Sequence, residues 1–290
     1  MQSWLIVNPF LDTQKFQEIY GMLCAAAEKE HMELEMKTTV QLMCPVGSAF
    51  PSLPDFALFW DKDIHLARRL ERQGLRLFNP ADAVEQCDNK ALTAQVLAAH
   101  HVPHPLTFLS PKTFEAMGYC SLEFLDIAEK QLSYPMVIKE AFGSFGQQVY
   151  LAENRQQAEA IIARMGYKDF ILQQYIPTSH GRDVRVNVVG GKVIASMLRY
   201  NEKDFRSNIS NGGSMAPYTP SVAQEEAALA ACRALKLDFA GVDVMFGENG
   251  TPIICEVNSN PHFKSTLQAT GVNLAEHIMR HIRQVISCGG

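Results

Sequence analysis

The sequence predicts an α/β protein of two or three lobes, the first built on a parallel sheet. Three observations carry this expectation. Apolar runs alternate with helix-spaced stretches through the first ~85 residues, the pattern of a helix-covered parallel sheet. Farther on, glycine turns at Gly190-Gly191 and at Gly247 to Gly250 separate neighbouring apolar runs, which reads as hairpins. The chain of 290 residues is also longer than one domain of ~100 to 200 residues holds.

Residues 1–85 form the first unit. Trp4 to Val7 is a short buried strand, Thr13 to His31 has helical spacing, and Phe56 to Trp60 is a second apolar strand. Ile64 to Gln73 returns to a helix ended by Gly74, and Leu75 to Phe78 is a strand stopped by Asn79 and Pro80. Met43 to Pro54, with three prolines, is a loop. Residues 86–173 begin with a helix that Asp88, Asn89 and Lys90 introduce and that runs through His100, until two prolines in His101 to Pro105 break it. Leu106 to Leu109 is a short strand, a loosely helical region reaches about Lys130, and Tyr134 to Lys139 and Gln148 to Leu151 are strands. Phe170 to Ile176 bridges to the last part, residues 174–290. There Val184 to Val189, Val193 to Leu198, Phe239 to Phe246 and Pro252 to Val257 read as strands.

Composition narrows the class of partner. Hydrophobic residues make up 47% and charged ones 20%, which is ordinary for a folded globular chain and excludes wholesale disorder. A formal net charge of -5 provides no broad basic footprint, so neither nucleic acid nor membrane is an expected partner. The seven cysteines lack CxxC spacing, so they read as reduced thiols of a cytoplasmic protein. Met1 to Pro9 has no positive n-region and only a four-residue apolar run, too little for a signal peptide. No segment approaches the ~20 apolar residues of a membrane span. Composition leaves a homo-oligomer open.

Two stretches carry chemistry. Glu256 and Asn258 are two apart in an apolar run, so on a strand they share a face, and Asp243 in the preceding run can join them. Oxygen-only donors on one surface suit Mg²⁺ or Mn²⁺; the wet face of an edge hairpin also explains them. The second stretch is the apolar strand that ends in Lys139, followed by the loop Gly143 to Gly146. Such a loop can fold backbone N–H groups over phosphate oxygens, with the lysine adding a point charge, although glycines at this spacing also occur in plain turns. Arg182 and Arg185 fit either solvated strand-face charges or a binding role. Asp204 to Gly213 is a polar loop that exposes side-chain donors. His100, His101 and His104 are read as a helix end rather than a metal site.

Taken in order, Lys90, Lys139, the glycine loop, Gln174-Tyr175, Arg182-Asp183-Val184-Arg185, Asp204-Phe205-Arg206-Ser207-Asn208, Ala240-Gly241-Val242-Asp243 and Glu256-Val257-Asn258 resemble the motifs of the ATP-grasp superfamily. Within it, the chain most resembles the RimK-like ligases, which join an amino acid to a carboxylate. The match runs from about Asp55 to the C-terminus, and the first ~50 residues match only in general character. The resemblance implies an ATP-grasp fold whose two α+β lobes clasp ATP. It implies that Lys90 and Lys139 hold phosphates under a flap containing Gly143, Ser144 and Gly146. Gln174, Tyr175 and Ile176 fall at the adenine hinge, with Asp183 near the ribose. Arg206, Ser207 and Asn208 fall near the triphosphate, Arg206 being the candidate catalytic residue that stabilises the phosphoryl group or an acyl phosphate. Asp243, Glu256 and Asn258 match ligands of two Mg²⁺ or Mn²⁺ ions, with Glu256 bridging them.

The implied reaction is ATP-dependent joining of an amino acid or other amine to a carboxylate through an acyl phosphate, with release of ADP and phosphate. The carboxylate acceptor is a small molecule, a peptide or a protein tail. The alternatives are an ATP-grasp kinase and a non-catalytic nucleotide-binding module. Two departures stand out. Gln174 replaces the Glu of many relatives, and Ser259 to Lys264 replaces the Ala-Ser-Pro-Gly of the ligase that gives the family its name. Arg185, Arg199, Asn260, His262 and Lys264 are the candidate substrate contacts.

Overall fold

The computed structural model describes residues 1–143, 146–209 and 212–288. β1 (Gln2–Val7), β2 (Glu33–Thr38), β3 (Phe56–Trp60) and β4 (Leu77–Phe78) form one sheet in the order β2-β1-β3-β4. Every pairing in it is parallel, as the strand-helix alternation requires. β3 carries only apolar residues and is buried throughout, while β2, at the edge, is a charged strand that apolar patterning does not reveal. α1 (Gln14–Lys29) buries Ile19, Tyr20, Leu23, Ala26 and Ala27, and α2 (Ile64–Arg72) starts where the Asp63 carboxylate accepts from Leu66 N at 3.0 Å. The chain runs from β1 outward to β2 and then returns to place β3 on the other side of β1. The order therefore reverses between β1 and β3, and the carboxyl ends of these two strands lead into Asn8 and Asp61. Crevices of this kind are where open α/β sheets take their ligands.

α3 (Ala81–Asp88) follows Pro80 directly and is not part of the helix read from the sequence, which is α4 (Lys90–Ala99). Asn89 caps α4 by accepting from Ala91 N at 2.9 Å and Leu92 N at 3.3 Å, which sets Lys90 in its first turn. Cys87, Leu97 and Val102 pack into the apolar cluster of the C-terminal sheet, while Lys90 N donates to Ala141 O at 2.9 Å beside the central strands, so this stretch touches both lobes.

The central sheet is antiparallel, with order β5-β8-β6-β7: β5 (Thr107–Leu109), β6 (Met136–Glu140), β7 (Val149–Ala152) and β8 (Phe170–Gln174). α5 (Glu123–Glu129) and α6 (Arg155–Met165) pack on it around Phe170 and Met136. The C-terminal sheet runs β11-β10-β9-β12-β13 and is also antiparallel. Its strands are β9 (Arg182–Val189), β10 (Lys192–Tyr200), β11 (Ser214–Pro217), β12 (Phe239–Phe246) and β13 (Pro252–Asn258), with the expected β12-β13 hairpin at one edge. α7 (Val222–Ala234), α8 (Lys264–Thr270) and α9 (Leu274–Cys288) complete the chain. Among the described residues no helix is long and apolar enough to cross a membrane.

The N-terminal and C-terminal sheets share one core. Leu5, Phe56 and Trp60 pack with Phe239, Phe263 and Ile278, and the rings of Trp60 and Phe239 stack 5.6 Å apart. Asn79, which is fully buried, stitches the junction with its whole amide. Its Nδ2 donates to Phe239 O at 2.9 Å and Ser259 O at 2.8 Å, while its Oδ1 accepts from Asp238 N at 2.7 Å and Phe239 N at 3.2 Å. Replacing Asn79 by Ala strands buried backbone donors and acceptors, so chemical unfolding should show a loss of about 3 kcal/mol. A loss below about 1 kcal/mol would mean that this junction is not what holds the sheets together.

Candidate active site

Strand register assembles the site. Asp243 on β12 lies opposite Glu256 on β13 and Arg185 on β9, Asp183 on β9 lies opposite Arg199 on β10, and Gly241 lies opposite Asn258. Directly opposed residues share a face, so Asp243, Glu256 and Asn258 point to one side, as strand geometry requires. No basic residue lies within that hairpin. The neighbouring strands supply two, and both arginines are buried. Arg185 grips Asp243 through Nε to Oδ1 and through Nη2 to Oδ2, the latter at 2.9 Å. Arg199 holds Asp183 at 2.7 and 2.6 Å and reaches Asp243 Oδ2 at 2.9 Å, and Ser207 Oγ donates to Asp183 Oδ2 at 2.6 Å. The two arginines hold the Asp243 carboxyl below the usual carboxylate range against the upward push of burial, and burial competes with the two aspartates in setting Arg199, whose guanidinium stays charged. Gly241 has a physical reason here. A Cβ at that position would come 2.9 Å from Pro261 Cβ and 3.0 Å from Arg185 Nη1.

Two cavities open on this face. The smaller, of about 100 Å³, is walled by Lys90, Lys139, Gly146, Gln174, Tyr175, Ile176, Asp183, Arg206, Ser207, Asn208, Asp243 and Glu256, among others. The larger, of about 560 Å³, is walled by Asn8, Lys15, Trp60, Asp61, Gly143, Arg185, Asn208, Glu256, Asn258, Asn260 and His262, among others. Arg199, Asn208 and Glu256 belong to both walls. Among the described residues the Glu256 carboxylate has no hydrogen-bond or ion-pair partner, and it is the acid where the two cavities meet.

Cations line the smaller cavity. Lys139 is buried, with Nζ 3.6 Å from Cys255 Sγ. Burial depresses the Lys90 pKa, Glu256 opposes that shift, and Lys139 adds to it. Lys90 Nζ donates to Gly143 O at 2.9 Å and Arg206 Nη1 to Gly146 O at 2.7 Å, so the two ends of the glycine loop rest on cations of the site. Arg206 also pairs with Asp204 at 2.7 Å. Gly146 has φ +71°, in the left-handed region that favours glycine. Ser144 lies outside the described residues. At the end of β8 the Gln174 side chain is exposed and the Tyr175 hydroxyl meets the His180 ring.

The oxygen donors suit a hard divalent cation. Glu256 is unpartnered, and Asn258 uses its Nδ2 on Gly241 O at 3.3 Å, which turns Oδ1 away from that bond. Both Asp243 oxygens are engaged by arginine, so Asp243 stands behind the other two. Among the described residues no group of three or more His, Cys, Asp or Glu side chains converges on one point. Mg²⁺ needs no such cage, since one or two carboxylates plus phosphate oxygens suffice.

The other candidates divide. Arg185, Arg199, Asn260 and His262 line the larger cavity, whereas Lys264 does not: its ammonium pairs with Glu18 of α1. Arg182 is an exposed strand-face charge stacked 4.8 Å over the Phe246 ring, and it also lines the smaller cavity. Sequence reasoning missed Asn8, Lys15 and Asp61. Their signal was positional, because Asn8 and Asp61 follow the apolar runs that end β1 and β3.

A family model for the RimK-like ATP-grasp domain matches residues 87–282. An uncharacterized protein of Mycoplasma pneumoniae is 34% identical over 265 residues, 90% of this chain and 92% of that protein. Beta-citrylglutamate synthase B of Danio rerio is 35% identical over 217 residues, 74% of this chain, and the match spans 52% of its own length. Among solved structures, the RimK domain ATP-grasp protein of Sphaerobacter thermophilus superposes with a TM-score of 0.74 at 21% identity, covering 97% of this chain and 99% of that one.

His262 offers a check on the larger cavity. Burial, with Lys15 next in weight, lowers its pKa to about 4, so the ring is neutral at pH 7. Because the folded value lies below the ordinary 6.5, the unfolded chain binds the proton first. Stability from this group is complete above pH 6.5 and is lost as the pH falls toward 4. Discounted for partial exposure, the loss should be about 1 to 2 kcal/mol. Thermal unfolding from pH 7 to 4 should therefore fall less steeply in His262→Gln than in the wild type, and equal slopes would refute the buried neutral ring.

Proposed function

The chain belongs to the RimK-like ATP-grasp family and is a carbon–nitrogen ligase, and from that premise we propose that it joins an amino acid to a carboxylate acceptor through an acyl phosphate, with release of ADP and inorganic phosphate. The observation that carries the reading is Glu256, an unpartnered carboxylate in the walls of both cavities. In this reading ATP binds at the smaller cavity, which widens as the glycine loop releases Lys90 and Arg206, and the two substrates occupy the larger. The transferred phosphoryl group then crosses where Glu256, Asn208 and Arg199 meet both.

The residues present suit each step. Phosphate oxygens compete with the carbonyls of Gly143 and Gly146 for Lys90 and Arg206, and Lys139 adds a further buried charge. A carboxylate in the larger cavity attacks the γ-phosphorus, its oxygen forms the new P–O bond, and ADP leaves. An amine then attacks the acyl carbon and expels phosphate. Each step shifts negative charge over phosphate oxygens, so preorganised cations lower both barriers. Glu256 and Asn258 would hold a divalent cation, which when bound neutralises phosphate charge. The acid amine pairing has a first probe in L-glutamate, since a beta-citrylglutamate synthase is among the relatives.

Two variants test the assignment. Glu256→Ala should cut amine-dependent ADP release by at least about a hundredfold while leaving the unfolding midpoint within about 0.5 kcal/mol of wild type. Near-normal turnover would remove Glu256 from the reaction centre. Lys139→Ala should weaken ATP binding about tenfold or more in direct titration, and unchanged affinity would take the nucleotide out of the smaller cavity.

A further inference from the structure

We propose that Asp61 and Asn260 form the binding site for the ammonium group of the amino-acid substrate, on the N-terminal wall of the larger cavity. The proposal rests on the reading of that cavity as the substrate chamber.

Asp61 is 5% exposed and follows β3 at the point where the strand order of the parallel sheet reverses. Its two oxygens are in different situations. Oδ1 accepts from the backbone N–H groups of Lys62 and Asp63, the second at 3.0 Å, and from Asn8 Nδ2 at 3.5 Å. Among the described residues Oδ2 is buried and has no partner. Burial raises the Asp61 pKa, and the three donors on Oδ1 counter it.

Asn260 repeats the pattern beside it. Its Nδ2 donates to the Asp61 carbonyl oxygen at 3.1 Å, which fixes the amide orientation because only the nitrogen can donate there. Its Oδ1 is buried without a partner. Asp61 and Asn260 both line the cavity, and among the described residues each keeps one buried acceptor without a partner. A buried acceptor left unpaired is costly, and native structures rarely keep two together without a use.

The chemistry selects the occupant. A hydroxyl has one hydrogen to donate, whereas an ammonium has three donors and the charge that a buried carboxylate lacks. The nearby Lys62 ammonium already pairs with Asp88. Across the same cavity stand Arg185 and Glu256, so an amino acid held here by its ammonium lies within the chamber that holds the reaction centre, and it becomes the attacking amine by leaving one proton on the Asp61 carboxylate. Asn260 belongs to the segment where the chain departs from the family pattern, and Asp61 precedes residue 87, where the family match begins.

The test is calorimetric titration of the full chain, with ADP and Mg²⁺ present, using amino acids and their des-amino counterparts: L-glutamate against glutarate and L-alanine against propionate. At least one amino acid should bind about tenfold or more tighter than its counterpart, and the preference should collapse to about twofold or less in Asp61→Asn and shrink in Asn260→Ala. Equal binding of the two members of each pair, binding of no probe at all, or a preference that survives both substitutions would overturn the site. Asn260→Ala keeps the test decisive if Asp61→Asn fails to fold. The ligase reading fails separately. Amino-acid binding that depends on Asp61 without amine-dependent ADP release would keep the ammonium site and sink the ligase, and the reverse result would do the opposite.

Discussion

The docking of a parallel sheet onto an antiparallel one through Asn79 is the constraint on which the site depends. The larger cavity has no walls until the carboxyl ends of β1 and β3 face the segment after β13. Apolar contact alone, as between Trp60 and Phe239, is non-directional and would tolerate sliding. Asn79 removes that freedom, because all four of its hydrogen bonds end on backbone groups of residues 238, 239 and 259. Asn260 repeats the device from the opposite direction by donating to the carbonyl of Asp61. Two amides thus set the rim of the chamber to within a hydrogen-bond length.

Within the C-terminal sheet a second constraint operates at higher cost. Arg185, Asp243, Arg199 and Asp183 place four charges in the buried face of three adjacent strands. Replacing such a network by apolar side chains is often neutral or stabilising, so its presence is better explained by position than by stability. It holds Ser207 through Asp183 and keeps the Asp204 to Asn208 loop against the sheet. It also presents Arg185 and Arg199 to the larger cavity with their orientation already set. The two aspartates cancel the charge of these arginines, so the oxygen donors of Glu256 and Asn258 stand beside them without losing their suitability for a hard cation.

How much of this the sequence discloses follows from the range of each interaction. Apolar runs such as Phe56 to Trp60 and Phe239 to Phe246 announce their strands because burial on both faces, or on one, writes a local pattern. β2 escapes because an edge strand of Glu, Met and Lys carries no such pattern, and α3 escapes because it is short and begins straight after Pro80. The face shared by Asp243, Glu256 and Asn258 is legible from strand alternation. The arginines behind Asp243 are not, since the pairing of β9 with β12 joins residues 58 positions apart. Asn79 shows the same limit: in sequence it only ends a strand, and its four partners lie some 160 to 180 residues away. Lys264 failed for the complementary reason, being drawn to Glu18 by packing that no local motif reports.

The boundary of the family match has a physical meaning. The matched residues, 87–282, contain both lysines, Gln174 and Tyr175, the arginine network and the oxygen donors, which line the smaller cavity and its junction with the larger one. Asn8, Lys15, Trp60 and Asp61 lie before that boundary and supply the opposite wall of the larger cavity. Phosphoryl transfer from ATP poses the same electrostatic problem whatever the acceptor, so one arrangement of cations serves many ligases. Substrates differ in shape and in the placement of their polar groups, and the larger cavity draws its opposite wall from outside the matched domain. Family membership therefore specifies the reaction while leaving the substrate to residues 1–86 and to the loop after Asn258. Glu256 stands where those two halves of the problem meet.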